Sequence, residues 1–226
     1  MNAPSPDVAA GAILAKAPAP GKVKTRLVPP LTPDEAAAVA RACLLDTLRR
    51  GPATVGAAWT LFLDGAPDEE LRRRAEADVV RILPQGDGDL GMRLERAFAR
   101  LRAEGAGRVV AIGADSPTLD PARLAEAFDM LREHDVVIGP AEDGGYYLIG
   151  LSVDAGDFFR QTPWSTGEVA RVAAERAAAR GLSVATLQIG YDIDDEATLR
   201  RAAGEAAAAG CRALVAALAP LREKIG

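Results

Sequence analysis

Short apolar runs alternate along the chain with stretches whose apolar positions recur at helical spacing. Residues 9–15 read as a buried strand, and residues 59–63, 79–83, 109–112, 135–138, 146–151 and 184–187 as further strands. A helix is predicted over residues 32–50. Thr32 serves as its cap, Pro33 suits its first turn, and Glu35 completes a capping box. Other helices are expected over residues 68–75, from the glycine/aspartate loop at 86–91 to about residue 103, from Asp120–Pro121 to residue 133, and over 167–179. Helical sequence then follows Asp195 to the end. Strands that alternate with helices of this length indicate a mainly parallel, mixed sheet covered on both faces. The expected architecture is therefore a three-layer α/β/α, Rossmann-like fold. With no internal repeat or linker, residues 1–226 are expected to form one domain.

Composition narrows the class. A hydrophobic fraction of 49% is far too high for a disordered chain. Much of it is alanine and only 4% of residues are aromatic, so helices are expected to pack closely through small side chains. The net charge of −5 argues against nucleic acid as a partner. Cys43 and Cys211 lack metal-ligand spacing and read as reduced thiols. Residues 1–7 are short and polar, and no run approaches the ~20 apolar residues of a membrane span. These features give the expectation of a cytoplasmic protein. His134, the only histidine, is expected at the surface on a helix end, which leaves no basis for a histidine triad or a zinc site. A Gly-x-Ser-x-Gly nucleophile elbow is also absent.

The chemistry concentrates in loops that follow strands. The first strand runs into Lys16-Ala-Pro-Ala-Pro-Gly21-Lys-Val-Lys24-Thr-Arg26. Open α/β sheets bind ligands beyond the carboxyl ends of their strands. Gly21 lets backbone approach a phosphate, the prolines restrict the loop, and Lys16, Lys24 and Arg26 supply charge for a di- or triphosphate. The pattern is neither a Walker A loop nor a G-x-G-x-x-G fingerprint. Charge alone leaves a solvated basic loop as an equal reading, and position after the first strand favours phosphate binding.

Asp115 follows a buried strand and is a candidate ligand for a hard cation or a turn cap. Asp192 and Asp194 alternate on an extended segment and so face the same way, while Asp195 is placed to cap the final helices. Asp143, in Asp143-Gly144-Gly145-Tyr146, is suited to hold substrate hydroxyls or act as a base. The glycines are equally consistent with a hairpin turn. Trp164 is suited to stacking on a sugar or base. Ser165 and Thr166 beside it read most simply as helix caps. Asp89, Gly91 and Arg93 stand where a helix begins, and its amides are suited to an anion.

Taken in order, these motifs resemble a known family. They are Lys16-x-Pro-x-Pro-Gly-x-Val-Lys-Thr-Arg-Leu, Asp89-Leu-Gly-x-Arg, Gly113-x-Asp-x-Pro, Gly139-Pro-x-x-Asp-Gly-Gly-Tyr-Tyr-Leu-Ile-Gly, Pro163-Trp-Ser-Thr and Asp192-Ile-Asp. Together they look like the bacterial GT-A-fold glycosyltransferases of the arsenosugar-biosynthesis type, long catalogued as a domain of unknown function, within the nucleotide-diphospho-sugar transferase superfamily. The resemblance covers nearly the whole chain. It implies a GT-A fold, a nucleotide site at the first strand, and Mg²⁺ or Mn²⁺ held by Asp115 with Asp192 and Asp194. It implies catalytic roles for Lys24, Arg26 and Asp143. Substrate contacts are implied for Lys16, Gly21, Asp89, Gly91, Arg93, Gly144, Gly145, Tyr146, Trp164 and Ser165. The expected activity is glycosyl transfer from a nucleoside diphosphate sugar to a small acceptor. Nucleotidyl transfer with release of pyrophosphate, as in guanylyl- or cytidylyltransferases, is the alternative, and a non-catalytic nucleotide-binding module is a third reading. A homodimer is compatible with any of them. Two positions depart from the pattern: Asp115-Ser-Pro replaces the usual Asp-x-Asp, and Asp195-Glu196 stands where Thr-Pro is common.

Overall fold

A computed structural model describes residues 4–52, 56–78 and 80–225. The elements run β1 (Ser5–Lys16), α1 (Pro33–Arg50), β2 (Ala58–Asp64), α2 (Glu69–Ala77), β3 (Arg81–Pro84), α3 (Leu90–Ala103), β4 (Ala106–Gly113), α4 (Ala122–Met130), β5 (Val136–Pro140), β6 (Tyr146–Leu151), α5 (Val169–Ala179), β7 (Val184–Thr186), α6 (Glu196–Glu205), α7 (Arg212–Leu218) and α8 (Arg222–Ile225). The strands form one seven-stranded sheet in the order β3-β2-β1-β4-β6-β5-β7. Only β6 runs against its neighbours, pairing antiparallel with both β4 and β5. The expected mainly parallel mixed sheet is thus present.

Strand periodicity divides the core. Ile13, Trp59, Leu61, Val110, Ile112 and Leu148 face one way and pack under α1, α2 and α4. Their neighbours Ala12, Leu14, Phe62, Val109, Ala111 and Ile149 face the other way, against α3 and α5. The final helices pack on the outside of this sandwich. They cover the outer face of α1, where Ala36, Val39, Ala42 and Cys43 meet Leu199, Ala202, Leu214, Leu218 and Ile225. Alanine at Ala36 and Ala202 is fully buried, as expected of helices in close contact. Asp46 on the same face is 1% exposed and accepts hydrogen bonds from the backbone N–H of Ala213 (3.2 Å) and Leu214 (2.8 Å). It caps α7 from another helix.

Several sequence expectations need correction. β1 begins at Ser5 because its first residues pair with β4, past a shift in register. The predicted strand at 79–83 starts at Arg81, and Val79 itself lies outside the described residues, as do Met1–Ala3 of the polar N-terminus and Gly226. α5 starts at Val169, not residue 167, and neither Ser165 nor Thr166 caps it: Thr166 Oγ1 instead donates to the Pro163 carbonyl at 2.7 Å. His134 is half-buried rather than at the surface, because its turn packs between α4 and β5, where its carbonyl accepts from Ser152 Oγ at 3.0 Å. The Thr32 capping box and the Asp195 cap form as expected. Among the described residues no helix is long and apolar enough to cross a membrane.

Replacing Asp46 with alanine leaves two buried amides without an acceptor. We expect a loss of about 1–3 kcal/mol, measured as a lower urea midpoint with an unchanged slope; an unaltered midpoint would show that α7 needs no cap.

Candidate active site

The order β3-β2-β1-β4 places a reversal of winding between β1 and β4, where open α/β sheets form a crevice at the carboxyl ends of their strands. Here that crevice is a cleft of about 670 Å³. Its lining includes Lys16 at the end of β1, Lys22 and Lys24 from the loop that follows, Asp64 at the end of β2, Gln85 after β3, and Asp115 after β4. A second hollow of about 430 Å³ is lined by Arg26, Asp143, Gly145, Trp164, Ser165 and Thr166. Both hollows share Lys24, Tyr146, Asp192 and Asp194. The cleft therefore has two halves that meet at one charged centre.

Lys24 makes that centre. Its backbone is left-handed (φ 49°) and its side chain is only 4% exposed. Nζ lies 2.5 Å from Asp115 Oδ1 and 3.3 Å from Asp194 Oδ1, and also donates to the Ile193 carbonyl. Burial disfavours the ammonium, but Asp115, Cys43 and Asp194 outweigh it and hold the lysine above its ordinary pKa. Below Lys24, burial pushes the Cys43 thiol up to about 12. The late segment is tied to the end of β4: Ile193 N–H donates to the Asp115 carbonyl at 2.9 Å, and Ser116 Oγ donates to Asp192 Oδ1. Burial, then repulsion from Asp115 and Asp194, pushes the Asp192 carboxyl up to about 6, against the pull of Ser116.

The other half is built on the β5–β6 hairpin. Asp143 Oδ1 accepts from Gly145 N–H at 2.8 Å, an Asx turn that needs the left-handed Gly144 (φ 83°). A side chain at Gly144 would collide with the Gly167 carbonyl, and the Gly144 carbonyl accepts from Ala170 N–H at 3.0 Å. The hairpin tip is thereby seated on the start of α5. Trp164 meets Tyr146 edge-on at 6.2 Å, so it packs against a neighbouring ring as well as lining the hollow. Burial raises the Tyr146 hydroxyl pKa. Ser165 is exposed in a left-handed turn (φ 63°), and Arg26 forms no hydrogen bond or ion pair among the described residues.

Four expected positions fall outside the two hollows: Gly144, which forms the hairpin turn beside them, and Asp89, Gly91 and Gly21. Asp89 Oδ1 accepts from Met92 N–H at 2.9 Å, so it is the cap of α3 and lines a separate depression. Gly91 is where α3 crosses the Phe159 carbonyl too closely for a side chain. Gly21 turns the basic loop (φ 71°) in open surroundings without lining the cleft. Conversely Lys22, Asp64 and Gln85 were not among the sequence candidates. The first sat within the basic motif. The other two are strand-end residues whose position was the one available signal.

Among the described residues, no three histidine, cysteine, aspartate or glutamate side chains gather as a ready-made metal site. The donors still fit a hard divalent ion that arrives with phosphate. Mg²⁺ typically takes one or two carboxylates plus substrate oxygens and keeps its waters, and Asp115 and Asp194 already share a single cation in Lys24 Nζ.

The fold is that of an α/β protein structurally like nucleotide-diphospho-sugar transferases. A nucleotide-diphospho-sugar transferase structure from Desulfovibrio desulfuricans G20 superposes with a TM-score of 0.83 and 29% identity over 96% of both chains. CMP:2-keto-3-deoxy-manno-octonic acid synthetase, solved with CTP, shares the fold at a TM-score of 0.58 and 13% identity, over 89% of this chain and 99% of that one. The chain belongs to the family described as "Uncharacterized protein conserved in bacteria (DUF2064)", whose model matches residues 47–166. It is also 37% identical over 123 residues to the 2-phospho-L-lactate guanylyltransferase of Halorubrum lacusprofundi. That match spans about half of each protein, 54% of this chain and 52% of the relative.

Aspartates in an unfolded chain titrate near 3.9, whereas the native state holds the Asp192 proton up to about 6. The native state thus binds more protons between these values, and metal-free protein gains stability as pH falls from 7 toward 5. Melting temperatures across this window are expected to rise toward acid in the wild type and to rise less in Asp192→Asn. Equal slopes for the two proteins would remove Asp192 as the cause.

Proposed function

We propose that the protein is a nucleotidyltransferase that couples a nucleoside triphosphate to a small acceptor and releases pyrophosphate. The observation that carries this reading is the two-part cleft, whose halves meet at Lys24, Asp192 and Asp194. One half offers Lys16 and Lys22, unpaired among the described residues, beside a groove at the ends of β1 and β2, with Arg26 at the edge of the other. That much positive charge suits a triphosphate. Similarity to a guanylyltransferase supports the same choice.

In this reading the nucleoside lies toward β2 and β3, and the phosphates cross the basic loop. The acceptor occupies the hollow beneath Trp164 and Ser165. A phosphate oxygen of the phosphorylated acceptor attacks the α-phosphorus, the bond from that phosphorus to the β-bridging oxygen breaks, and pyrophosphate leaves with the electron pair. Lys16, Lys22 and Arg26 stabilise charge that grows on the phosphate oxygens. Asp143 Oδ1 is occupied by its own turn, which leaves Oδ2 to orient the acceptor. Mg²⁺ or Mn²⁺, held by Asp115 with Asp194 and Asp192, would neutralise phosphate charge when bound. Lys24 is the group that exchanges carboxylate for phosphate as the ligand enters. Glycosyl transfer, including the arsenosugar type, is the second reading. It is favoured by the similarity to the Desulfovibrio transferase.

Nucleoside triphosphates and nucleotide sugars, screened with Mn²⁺ by thermal shift, separate the two. A ligand at 100 times its Kd adds about 2.7 kcal/mol, an easily measured rise in Tm. Pyrophosphate release from a triphosphate supports nucleotidyl transfer, release of a nucleoside diphosphate from a nucleotide sugar supports glycosyl transfer, and no shift at millimolar ligand rejects both. With the substrate identified, Asp115→Asn is expected to lower turnover roughly 100-fold, together with a fall in Tm because buried Lys24 loses one of its two carboxylates.

Lys24 also governs metal uptake in this scheme. Without nucleotide, the wild type is expected to bind Mn²⁺ weakly and Lys24→Met more tightly, read by electron paramagnetic resonance of free Mn²⁺. Equal binding by the two would mean that Lys24 does not occupy the cation's place.

A further inference from the structure

We propose that the Asp64–Arg93 pair reads the base of the bound nucleotide and selects guanine. This rests on the nucleotide site proposed above and adds the identity of the base.

Asp64 is the last residue of β2 and lies in register with Lys16, the last residue of β1. It therefore stands on the cleft rim beside the basic loop, on the side away from the Asp143 hairpin. Arg93, from the first turn of α3, donates from Nη1 to Asp64 Oδ2 at 2.6 Å and to Gln85 Oε1 at 3.1 Å, and from Nε to the Gly88 carbonyl at 3.0 Å. Gln85 is 5% exposed, and its amide donates to the carbonyls of Ala15 (2.8 Å) and Phe62 (2.9 Å). The guanidinium is thus fixed to the ends of β1 and β2 through a side chain that has no freedom to turn.

These bonds use only half of the pair. Among the described residues, Asp64 Oδ1 and Arg93 Nη2 have no hydrogen-bond partner, while both residues line the cleft and the Asp64 side chain is 40% exposed. A structural strut needs only Oδ2 and Nη1. The remaining atoms, together with the second lone pair of Oδ2, offer the cleft two carboxylate acceptors and one guanidinium donor in a fixed frame.

The base edges differ in how they meet such a frame. Guanine offers one carbonyl and, next to it, two N–H donors, so a carboxylate accepts both N–H groups while a guanidinium donates to the carbonyl. Adenine and cytosine give a carboxylate only one amino donor. Uracil flanks its single N–H with two carbonyls, one of which faces the carboxylate. Guanine is the base that satisfies the frame.

Calorimetric titration of the full-length protein with Mg²⁺ and GTP, ITP, ATP, CTP and UTP tests this. Inosine differs from guanosine only by lacking the 2-amino donor. The wild type is expected to bind GTP at least about tenfold tighter than ITP and the other three. In Asp64→Asn, which keeps the shape but puts an amide where two acceptors stood, the GTP-to-ITP ratio is expected to fall toward one. Equal wild-type affinity for GTP and ITP, preference for another base, or an unchanged ratio in Asp64→Asn overturns base reading while leaving a nucleotide site intact. Failure of every nucleotide to bind overturns both. If Asp64→Asn does not fold, the wild-type comparison of GTP with ITP decides alone.

Discussion

A buried ammonium between two carboxylates is the constraint on which the cleft depends. Lys24 reaches Asp115 and Asp194, residues far apart in sequence, and all three sit on segments with no regular structure of their own. An ion removed from water in this way requires its partners, because loss of one leaves an uncompensated charge. The Ile193-to-Asp115 backbone bond fixes the same junction without charge. Ile193 itself is fully buried against α1 and the final helices. The packing of the C-terminal helices and the geometry of the charged centre are consequently one problem with one solution.

Much of this was legible in the sequence, where local chemistry decides the outcome. Apolar runs marked all seven strands, since the inner ones, buried on both faces, have little choice of composition. Thr32, Asp68 and Asp195 marked helix starts through bonds that span only three residues. The basic loop and Asp115 were recognisable because a ligand crevice lies at strand ends whatever the detailed packing.

What was not legible depends on distant contacts. Asp89 shows the limit: a side chain placed to receive an anion's neighbourhood instead satisfies its own helix. Lys24 looked like its neighbours in the basic loop, yet it alone turns inward, a direction set by carboxylates that only the fold supplies. Gln85 has no motif, because its role is to join three strands' ends with one amide. Asp46 is similar, as a helix cap carried by a different helix leaves no local trace.

The single reversed strand has an evolutionary corollary. Because β6 runs against β4 and β5, its first residues emerge on the same rim where those strands finish. The hairpin between β5 and β6 therefore stands at the cleft, its tip seated on α5 and its base held by two buried strands. Residues that line the larger hollow come largely from the chain before Asp115, and those lining the smaller one largely from the chain after it. Insertions or exchanges in the hairpin would reshape the smaller hollow while the larger one keeps its lining.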